Sequence, residues 1–476
     1  MLNPLRDTDW LWLGLTLFVV VSIAFLLPVV PNDYWWYLRL GQDILSTGRV
    51  PSVDTYSVPQ FGQPLVYQSW LSAVLMWGMY HLGGIPLTVL ARGVALAVTY
   101  GLLWRLAVSA GLGRRLSAVL VIAAALAVAG NWSVRPQLFA YPLFVISVWV
   151  LLGWQGGRTR LAWLLPVLSW LWTGLHGSFP LLFALMAAAL VFGRGDRKAL
   201  LAAVALAGLA SLMHPRGLAL WQNIGATFTD TVARDFSAEW LPTTNTGWQM
   251  NLFFAWFIAL VPLAAFSPCK PSLMEWAWFV GFAWLGFSGI RYVIWLLFIM
   301  TLITARLLSA WPLPQRPSPA PKLDWAIGVM LMLLPLAVLP GVRERWWAQS
   351  PPQVANTPVA AVDWLRNHPD LPGPLWSDIV FASYQIFALP ERPVWIDTRF
   401  QVAFTAEQIA RYKTVAHAEP GWEDVLNADG INLMMLSHED QDALIPLLEI
   451  SPVWCMRYRD EVAVIFSRAP VGQPCP

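Results

Sequence analysis

A carboxylate in front of an aromatic run is the first feature of this sequence that could do chemistry. Asp33 lies in the segment 31–36, which reads Pro-Asn-Asp-Tyr-Trp-Trp and directly follows an apolar stretch. An ionised carboxylate at the lip of a membrane span can act as a general base or bind a metal ion. The alternative is that Asp33 only caps a helix, because helix N-termini favour a negative charge. Residues 35–45 predict a short amphipathic helix on the membrane surface.

Three arginines between apolar stretches are candidates for binding a phosphate group. They are Arg135, Arg216 and Arg291. The planar guanidinium donates two parallel hydrogen bonds to phosphate oxygens and stays charged. Each arginine could instead anchor a helix end to lipid headgroups.

Three further polar sites are candidates. His176 has glycines at 174 and 177, so it could donate to a phosphate or shuttle a proton, or it could be a satisfied turn histidine. Glu239 could be a second acid, but we expect a solvated loop charge. Asp397 and Arg399 follow a predicted strand, and we interpret them as an ion pair that holds a corner.

The composition requires lipid as the main solvent of these candidates. Hydrophobic residues make up 57% of the 476-residue chain, charged residues 12%, and the mean hydropathy is +0.54. Ordinary soluble domains carry about 25% charged residues. No basic run suggests nucleic acid. The apolar stretches predict eleven membrane spans: 10–30, 85–104, 116–130, 137–154, 161–175, 177–193, 198–213, 251–266, 275–288, 292–308 and 325–340.

The distribution of Lys and Arg predicts the orientation. If the N-terminus is cytoplasmic and 69–82 is a re-entrant or interfacial helix, the short basic loops lie inside. Two long loops, 31–84 and 214–250, then lie outside together with the polar candidates. A chemical site would therefore face outward.

The composition changes after Pro340, which predicts two domains. Residues 1–342 form the transmembrane domain, and residues 343–476 form a soluble, extracytoplasmic α/β domain after a proline-rich connector at 311–322. Its predicted strands are 394–396, 433–436 and 462–466, and its predicted helices are 405–418 and 442–450. Cys455 and Cys475 both lie outside in this topology, so a disulfide is permitted, but spacing does not show that it forms.

The first loop resembles that of a known superfamily. An Asp just after the first span, an aromatic pair, and then the pattern G-x-x-I-L-x-x-G-x-x-P-x-x-D at 41–54 are similar to the first outer loop of the GT-C membrane glycosyltransferases. The resemblance implies a multi-pass protein of the cytoplasmic (inner) membrane. It would transfer a sugar from a polyprenyl-phosphate-linked donor to an unidentified extracytoplasmic acceptor.

The resemblance also assigns residue roles. Asp33 would be the catalytic base or a metal ligand, with Asp54 as a weaker second carboxylate. Trp35 and Trp36 would join the substrate site. A divalent metal, Mg²⁺ or Mn²⁺, is implied, although the second acidic motif of the superfamily has no clear counterpart in this sequence. The partners implied are membrane lipid, the lipid-linked donor and the acceptor.

Two other functions fit the sequence. One is a transporter or flippase for a lipid-linked substrate, and the other is a non-catalytic scaffold of an envelope polysaccharide assembly machine. Transporters often show inverted repeats, whereas this sequence shows no repeat and gathers its polar residues at one membrane face. The pattern therefore favours surface chemistry over transport.

Overall fold

The computed structural model describes residues 9–229, 238–311, 322–323, 325–330, 332–333, 357–371, 373–469 and 475. These residues fall into two compact units that alternate along the chain. Unit 1 comprises the described parts of Met1–Pro28, Gly83–Gly217 and Arg234–Pro352, and unit 2 those of Val29–Leu82, Leu218–Ala233 and Gln353–Pro476. The segment that follows α1 thus groups with the C-terminal segment. The predicted division at 342/343 stays a prediction, because contacts alone do not say which piece folds independently.

Unit 1 is helical. Its helices are α1 (Asp9–Leu26), the second part of α3 (Trp70–Ser109), α4 (Arg114–Val128), α5 (Gln137–Gln155), α6 (Leu165–Leu175), α7 (Pro180–Phe192), α8 (Arg197–Ser211), α10 (Gly247–Phe266), α11 (Leu273–Ser288) and α12 (Val293–Ser309). Short 3₁₀ turns precede or follow some of them, at Ala129–Asn131, Thr159–Leu164, Ala238–Trp240 and Ile290–Tyr292. Local signals set several starts: Asp196 caps α8, and Ser272 with Glu275 forms a capping box on α11.

The predicted count of eleven spans is not confirmed. Among the described residues, five helices are long and apolar enough to cross a membrane, and six if α1 and the following helix count as one broken span. The five are Trp70–Ser109, Arg114–Asn131, Gln137–Gln155, Gly247–Phe266 and Ile290–Ser309. Four predicted spans, α6, α7, α8 and α11, are helices of 11, 13, 15 and 16 residues, which is shorter than the 18 residues required of a span. For the span 325–340, only 325–330 and 332–333 are described, and they are helical.

The middle of unit 1 is built on α12. Nearly every side chain of this helix is buried, including Trp295 and Phe298. Trp295 packs edge-on against Tyr141 at 5.2 Å between ring centroids and lies 5.1 Å from Phe144. Aromatic pairs in such geometries stabilise a core beyond the area they bury. Burial at the centre of unit 1 therefore explains the apolar sequence of α12, in addition to its role as a candidate membrane span.

Unit 2 contains a small mixed sheet covered by helices. The strands are β1 (Leu375–Ser377), β2 (Leu433–Ser437), β3 (Trp454–Arg459) and β4 (Ala463–Arg468), in the order β1-β2-β4-β3, with β1 parallel to β2 and the other pairs antiparallel. The helices are α2 (Pro31–Thr47), the first part of α3, α9 (Leu218–Thr229), α13 (Val359–Arg366), α14 (Ile379–Ala388), α15 (Phe400–Ala403), α16 (Ala406–Ala416), α17 (Trp422–Ala428) and α18 (Leu444–Glu449). Leu375, Leu433 and Ile465 bury one face of the sheet against α13.

The sequence predicted part of these elements, and the structure differs from the prediction at three places. The strands near 433–436 and 462–466 and the helices near 405–418 and 442–450 are confirmed. Residues 394–396 are not a strand: Val394 makes a single bridge to Ser57, and its burial explains the apolar pattern. The amphipathic helix is longer than predicted, since Pro31 opens α2 and Gly48 closes it in the left-handed conformation. The loop 214–250 contains a helix, α9.

A glycine allows α2 and the first part of α3 to pack closely. A Cβ at Gly41 would lie 2.1 Å from the carbonyl oxygen of Ala73. No side chain fits in that space, so the close approach of the two helices depends on Gly41. On the same helix, Trp35 is buried among Tyr80, Tyr384 and Phe387. Packing on both sides therefore holds α2 in place.

Candidate active site

Asp33 lies in the first turn of α2, as predicted, and its side chain is partly exposed. The indole N–H of Trp36 donates a 3.2 Å hydrogen bond to Asp33 Oδ1. The hydroxyl of Thr398 donates to the carbonyl of the preceding residue, Asn32, at 2.8 Å. An acidic side chain is a favourable residue in the first turn of a helix. Asp33 is thus both a helix-start residue and a positioned carboxylate, and the two interpretations do not exclude each other.

The two tryptophans after Asp33 are mostly buried. Trp35 is 4% exposed and packs in the aromatic cluster around Tyr384, while Trp36 is 7% exposed and stacks on Tyr37 with centroids 3.7 Å apart. The main-chain N–H of Trp36 also donates to the hydroxyl of Ser383 at 3.3 Å. Their predicted role in substrate binding stays a prediction. What the structure gives Trp36 is an orienting hydrogen bond to the candidate base.

Asp54 is buried in an ion cluster. Arg399 Nη1 donates to Asp54 Oδ1 at 2.7 Å, and the same guanidinium donates to both carboxylate oxygens of Asp397 at 2.9 and 2.6 Å. The hydroxyl of Ser57 and the main-chain N–H of Tyr56 donate to Asp54 as well. The predicted Asp397–Arg399 pair is therefore confirmed, and it is part of a larger cluster that the sequence did not reveal.

The cluster contains two carboxyl groups, Asp54 and Asp397, and one cation, Arg399. Burial raises the pKa of Asp397, and the charge of Arg399 opposes that rise. Burial raises the pKa of Tyr67 and of Tyr56 too. Tyr67 accepts a hydrogen bond of 3.1 Å from Arg399, and Tyr56 donates one of 2.7 Å to Asp43. Both phenols therefore remain neutral, and they border the cluster through these hydrogen bonds.

The arrangement around Asp54 does not suit a metal shared with Asp33. Its two oxygens already accept hydrogen bonds from Arg399, Tyr56 and Ser57, and a cationic guanidinium in contact with a carboxylate opposes a second cation there. Within the described ranges, no group of three or more His, Cys, Asp or Glu side chains is spaced to hold a metal ion. We therefore derive no step through Mg²⁺ or Mn²⁺.

A second polar cluster lies in unit 1, where Arg135 and Arg291 flank Glu239. Arg135 Nη1 lies 2.5 Å from Glu239 Oε1. Burial raises the pKa of Glu239, but the charges of Arg135 and Arg291 outweigh it and hold the pKa below its ordinary value. Glu239 is 43% exposed, as expected of a solvated loop charge, but it is also ion-paired, because the 3₁₀ turn Ala238–Trp240 presents it to Arg135.

Arg291 is held by an aromatic ring. Its guanidinium lies over Trp240 at 4.3 Å from the ring centroid. Hydrogen bonds fix the segment that carries Trp240: Ile290 N donates to Leu241 O at 3.1 Å, and Thr243 Oγ1 donates to Gly286 O at 2.6 Å. Stacking on a ring leaves the edge of the guanidinium, with its N–H groups, able to bind an anion.

His176 faces this cluster as a neutral ring. Burial, together with the charge of Arg291, lowers the pKa of His176 to about 3. Its Nδ1 accepts a 3.1 Å hydrogen bond from the main-chain N–H of Ser178. The proton of the neutral ring is therefore on Nε2, which is a donor. Arg216 lies in the turn His214–Gly217, where its main-chain N–H donates to Nδ1 of His214 at 3.1 Å; its predicted role stays a prediction.

Comparisons with known proteins identify the fold of the chain. No protein-family model matches the chain, and a search of curated proteins gives no match. Solved structures do match over nearly the whole chain, and all of those named here are membrane glycosyltransferases of the GT-C type.

One matching structure is the archaeal oligosaccharyltransferase AglB from Archaeoglobus fulgidus, in complex with an inhibitory peptide and a dolichol-phosphate, with TM-score 0.59, 10% identity, and 98% of this chain and 75% of that chain covered. Another is ArnT from Cupriavidus metallidurans bound to undecaprenyl phosphate, with TM-score 0.50, 13% identity, and coverage of 98% and 99%. A third is the mycobacterial arabinofuranosyltransferase AftD, with TM-score 0.54, 16% identity, and coverage of 97% of this chain but only 41% of that one.

The fold is therefore that of a polytopic membrane protein of the GT-C type. At these identities the likeness establishes the fold alone. It agrees with the resemblance of the first loop, which rests on different evidence, namely the residues 31–54.

Proposed function

We propose that the chain is a membrane glycosyltransferase that transfers a sugar from a polyprenyl-phosphate-linked donor to an extracytoplasmic acceptor. The observation that carries the proposal is Asp33, a partly exposed carboxylate in the first turn of the helix that follows the first apolar helix. The indole N–H of Trp36 orients it. The matching AglB and ArnT structures hold a dolichol-phosphate and undecaprenyl phosphate, respectively, which supports a polyprenyl phosphate as the carrier of the sugar.

The reaction divides the roles between chemical groups. The acceptor nucleophile attacks the anomeric carbon, the bond from that carbon to the phosphate oxygen breaks, and polyprenyl phosphate leaves with the electron pair. Asp33 takes the proton of the nucleophile. Within unit 1, Arg291 and Arg135 are the cationic groups that suit a phosphate, and His176 can donate through Nε2.

We propose the orientation along with the reaction. The N-terminus is cytoplasmic, the protein crosses the inner membrane up to eleven times, and residues 343–476 form a soluble α/β domain outside. The support is the distribution of Arg and Lys between loops and the small sheet of unit 2.

The decisive experiment replaces Asp33 by Asn, which keeps the shape and removes the charge. Purified protein in proteoliposomes would be supplied with labelled polyprenyl-phosphate sugars, and release of polyprenyl phosphate would be measured. The expected loss is about 10²–10⁴-fold, the usual contribution of a general base. The control is Asp196→Asn: Asp196 caps α8 with hydrogen bonds to two main-chain N–H groups, and Asn caps a helix equally well.

The same preparation distinguishes the other functions. Wild-type turnover by well-folded Asp33→Asn protein would make Asp33 a helix-start residue only. Movement of the intact lipid-linked sugar across the bilayer without its consumption would establish a flippase. Neither turnover nor movement with any donor, together with tight association with another envelope protein, would establish the scaffold.

A further inference from the structure

Unit 1 contains a cavity of about 790 Å³ at the ends of several helices. It is lined by the start of α1, the end of α3, the start of α4, the end of α5 with the loop that follows, and the end of α12. Its volume lies within the range of about 300–1,000 Å³ typical of ligand pockets. Arg306 lines it, fifteen residues beyond Arg291, so at 1.5 Å per residue the cavity lies roughly 22 Å along α12 from the candidate phosphate cluster.

The charge of the lining is one-sided. Four arginines contribute, namely Arg105, Arg114, Arg158 and Arg306, and no Asp or Glu is among the described lining residues. Arg306 is neutralised from behind by Glu275, whose buried carboxylate lies 2.7 Å from its Nε. Arg105 and Arg158 are exposed at the cavity. The positive potential of this lining attracts an anion into the cavity and repels a cation.

The rest of the lining is aromatic. Trp10, Trp104 and Trp149 contribute, with Trp10 69% and Trp149 37% exposed. Arg158 lies over the ring of Trp149 at 5.5 Å, and Trp104 Nε1 donates to the carbonyl of Arg114 at 3.2 Å. Tryptophan with one apolar side and one hydrogen-bonding group is typical of the headgroup level of a membrane. An occupant must therefore combine a negative headgroup with apolar tails.

We propose that this cavity binds an anionic phospholipid, with its phosphodiester against Arg105 and Arg158 and its acyl chains along the exposed tryptophans. Basic pockets between transmembrane helices on the cytoplasmic side are the usual sites of such headgroups. Arginines that only set the orientation of the protein in the membrane need no cavity between the helices. Here the helix ends enclose a space, and Gly153 makes room for Arg158: a Cβ at Gly153 would lie 2.9 Å from Arg158 Nη2. The site does not depend on the proposed reaction.

The test uses the full chain purified from nanodiscs that contain phosphatidylcholine and phosphatidylglycerol. Native mass spectrometry would count the phosphatidylglycerol molecules retained by wild type and by Arg105→Gln/Arg158→Gln. Each arginine near a headgroup is worth about 1 kcal/mol, so retention should fall about tenfold or more. The matched control is Arg194→Gln/Arg197→Gln: Arg194 lies in the loop between α7 and α8, Arg197 is the first residue of α8, both are exposed, and neither lines the cavity.

A second variant keeps the arginines, in case the double variant folds poorly. Ser109 lines the cavity at the end of α3 and is exposed, so Ser109→Asp places a repelling carboxylate there and should also reduce retention. Equal retention of phosphatidylglycerol by wild type, both cavity variants and the control would overturn the proposal. The arginines would then serve only to orient the protein in the membrane. Displacement of the bound lipid by millimolar inorganic phosphate would point to a soluble anion and overturn the lipid proposal.

Discussion

Arg399 and Asp54 are 345 residues apart in the chain, yet Arg399 Nη1 and Asp54 Oδ1 lie 2.7 Å apart in a fully buried site. The same guanidinium binds Asp397, so one cation serves two carboxylates. Next to them, Thr398 holds the carbonyl of Asn32. The cluster therefore connects the first loop, the C-terminal segment and the residue that precedes Asp33.

Removing the cation of this cluster should be more harmful than removing one anion. Arg399→Met leaves two buried carboxylates without a counter-charge and should lower the free energy of unfolding by about 3–5 kcal/mol. Asp54→Asn leaves the Arg399–Asp397 pair intact and should cost about 1–3 kcal/mol. Denaturant unfolding in detergent measures both. The control Arg366→Met breaks an exposed pair with Asp363 and should cost under about 1 kcal/mol; a similar cost in all three variants contradicts the prediction.

Loss of Arg291 should weaken binding of a lipid phosphate. Hydrogen bonds to charged groups are worth about 1.5–3 kcal/mol, so Arg291→Ala should raise the Kd for polyprenyl phosphate about tenfold or more, as measured by microscale thermophoresis. Arg291→Lys keeps the charge but loses the planar fork and should recover part of the affinity. The control is Arg49→Ala, since Arg49 is an exposed loop residue of unit 2. Equal, small changes at both positions would remove Arg291 from the site.

His176 should make the protein less stable in acid. Its pKa is lowered to about 3 in the folded state and is about 6.5 in an unfolded chain. Between these values the unfolded state binds a proton and the folded state does not, so stability falls as the pH drops below about 6.5. Tm measured from pH 7 to pH 4 should decline in wild type and decline less in His176→Gln. Parallel curves for the two proteins would contradict the lowered pKa.

A methyl group at Gly41 should disturb the contact between α2 and α3. Its Cβ would meet the carbonyl oxygen of Ala73 at 2.1 Å, so Gly41→Ala should destabilise by about 1–3 kcal/mol through overpacking. Sugar transfer should fall too, because α2 carries Asp33. The control is Gly78→Ala on α3, where nothing lies within 4 Å of the new Cβ and Ala is the better helix former. Thermal unfolding and turnover of the two variants would decide.

The sequence was most informative where one local pattern decides the structure. Apolar runs predicted nearly all helices of unit 1, and the helix predicted to begin at 405 is capped by Thr405. It was less informative on length: whether 161–175 is one span or a 3₁₀ turn followed by α6 depends on packing that composition does not record.

The candidate site shows the same limit. Asp33 and its helix could be predicted from adjacent residues. The partners of Asp54 and of Glu239 could not, because Arg399 and Arg135 are 345 and 104 residues away from them, respectively. An ion pair between distant segments produces no periodic pattern in the sequence. The sequence therefore does not distinguish a buried Asp from an exposed one.

The disulfide bond between Cys455 and Cys475 can be used to determine on which side of the membrane the C-terminal segment lies. The chain has three cysteines, and Cys269 is the one outside this bond. If the C-terminal segment reaches an oxidising compartment, denatured but unreduced protein will react with a polyethylene-glycol maleimide at one thiol. If the segment stays in a reducing cytoplasm, where such bonds rarely persist, it will react at three. The size of the resulting gel shift records, without any engineered tag, which side of the membrane unit 2 occupied in the living cell.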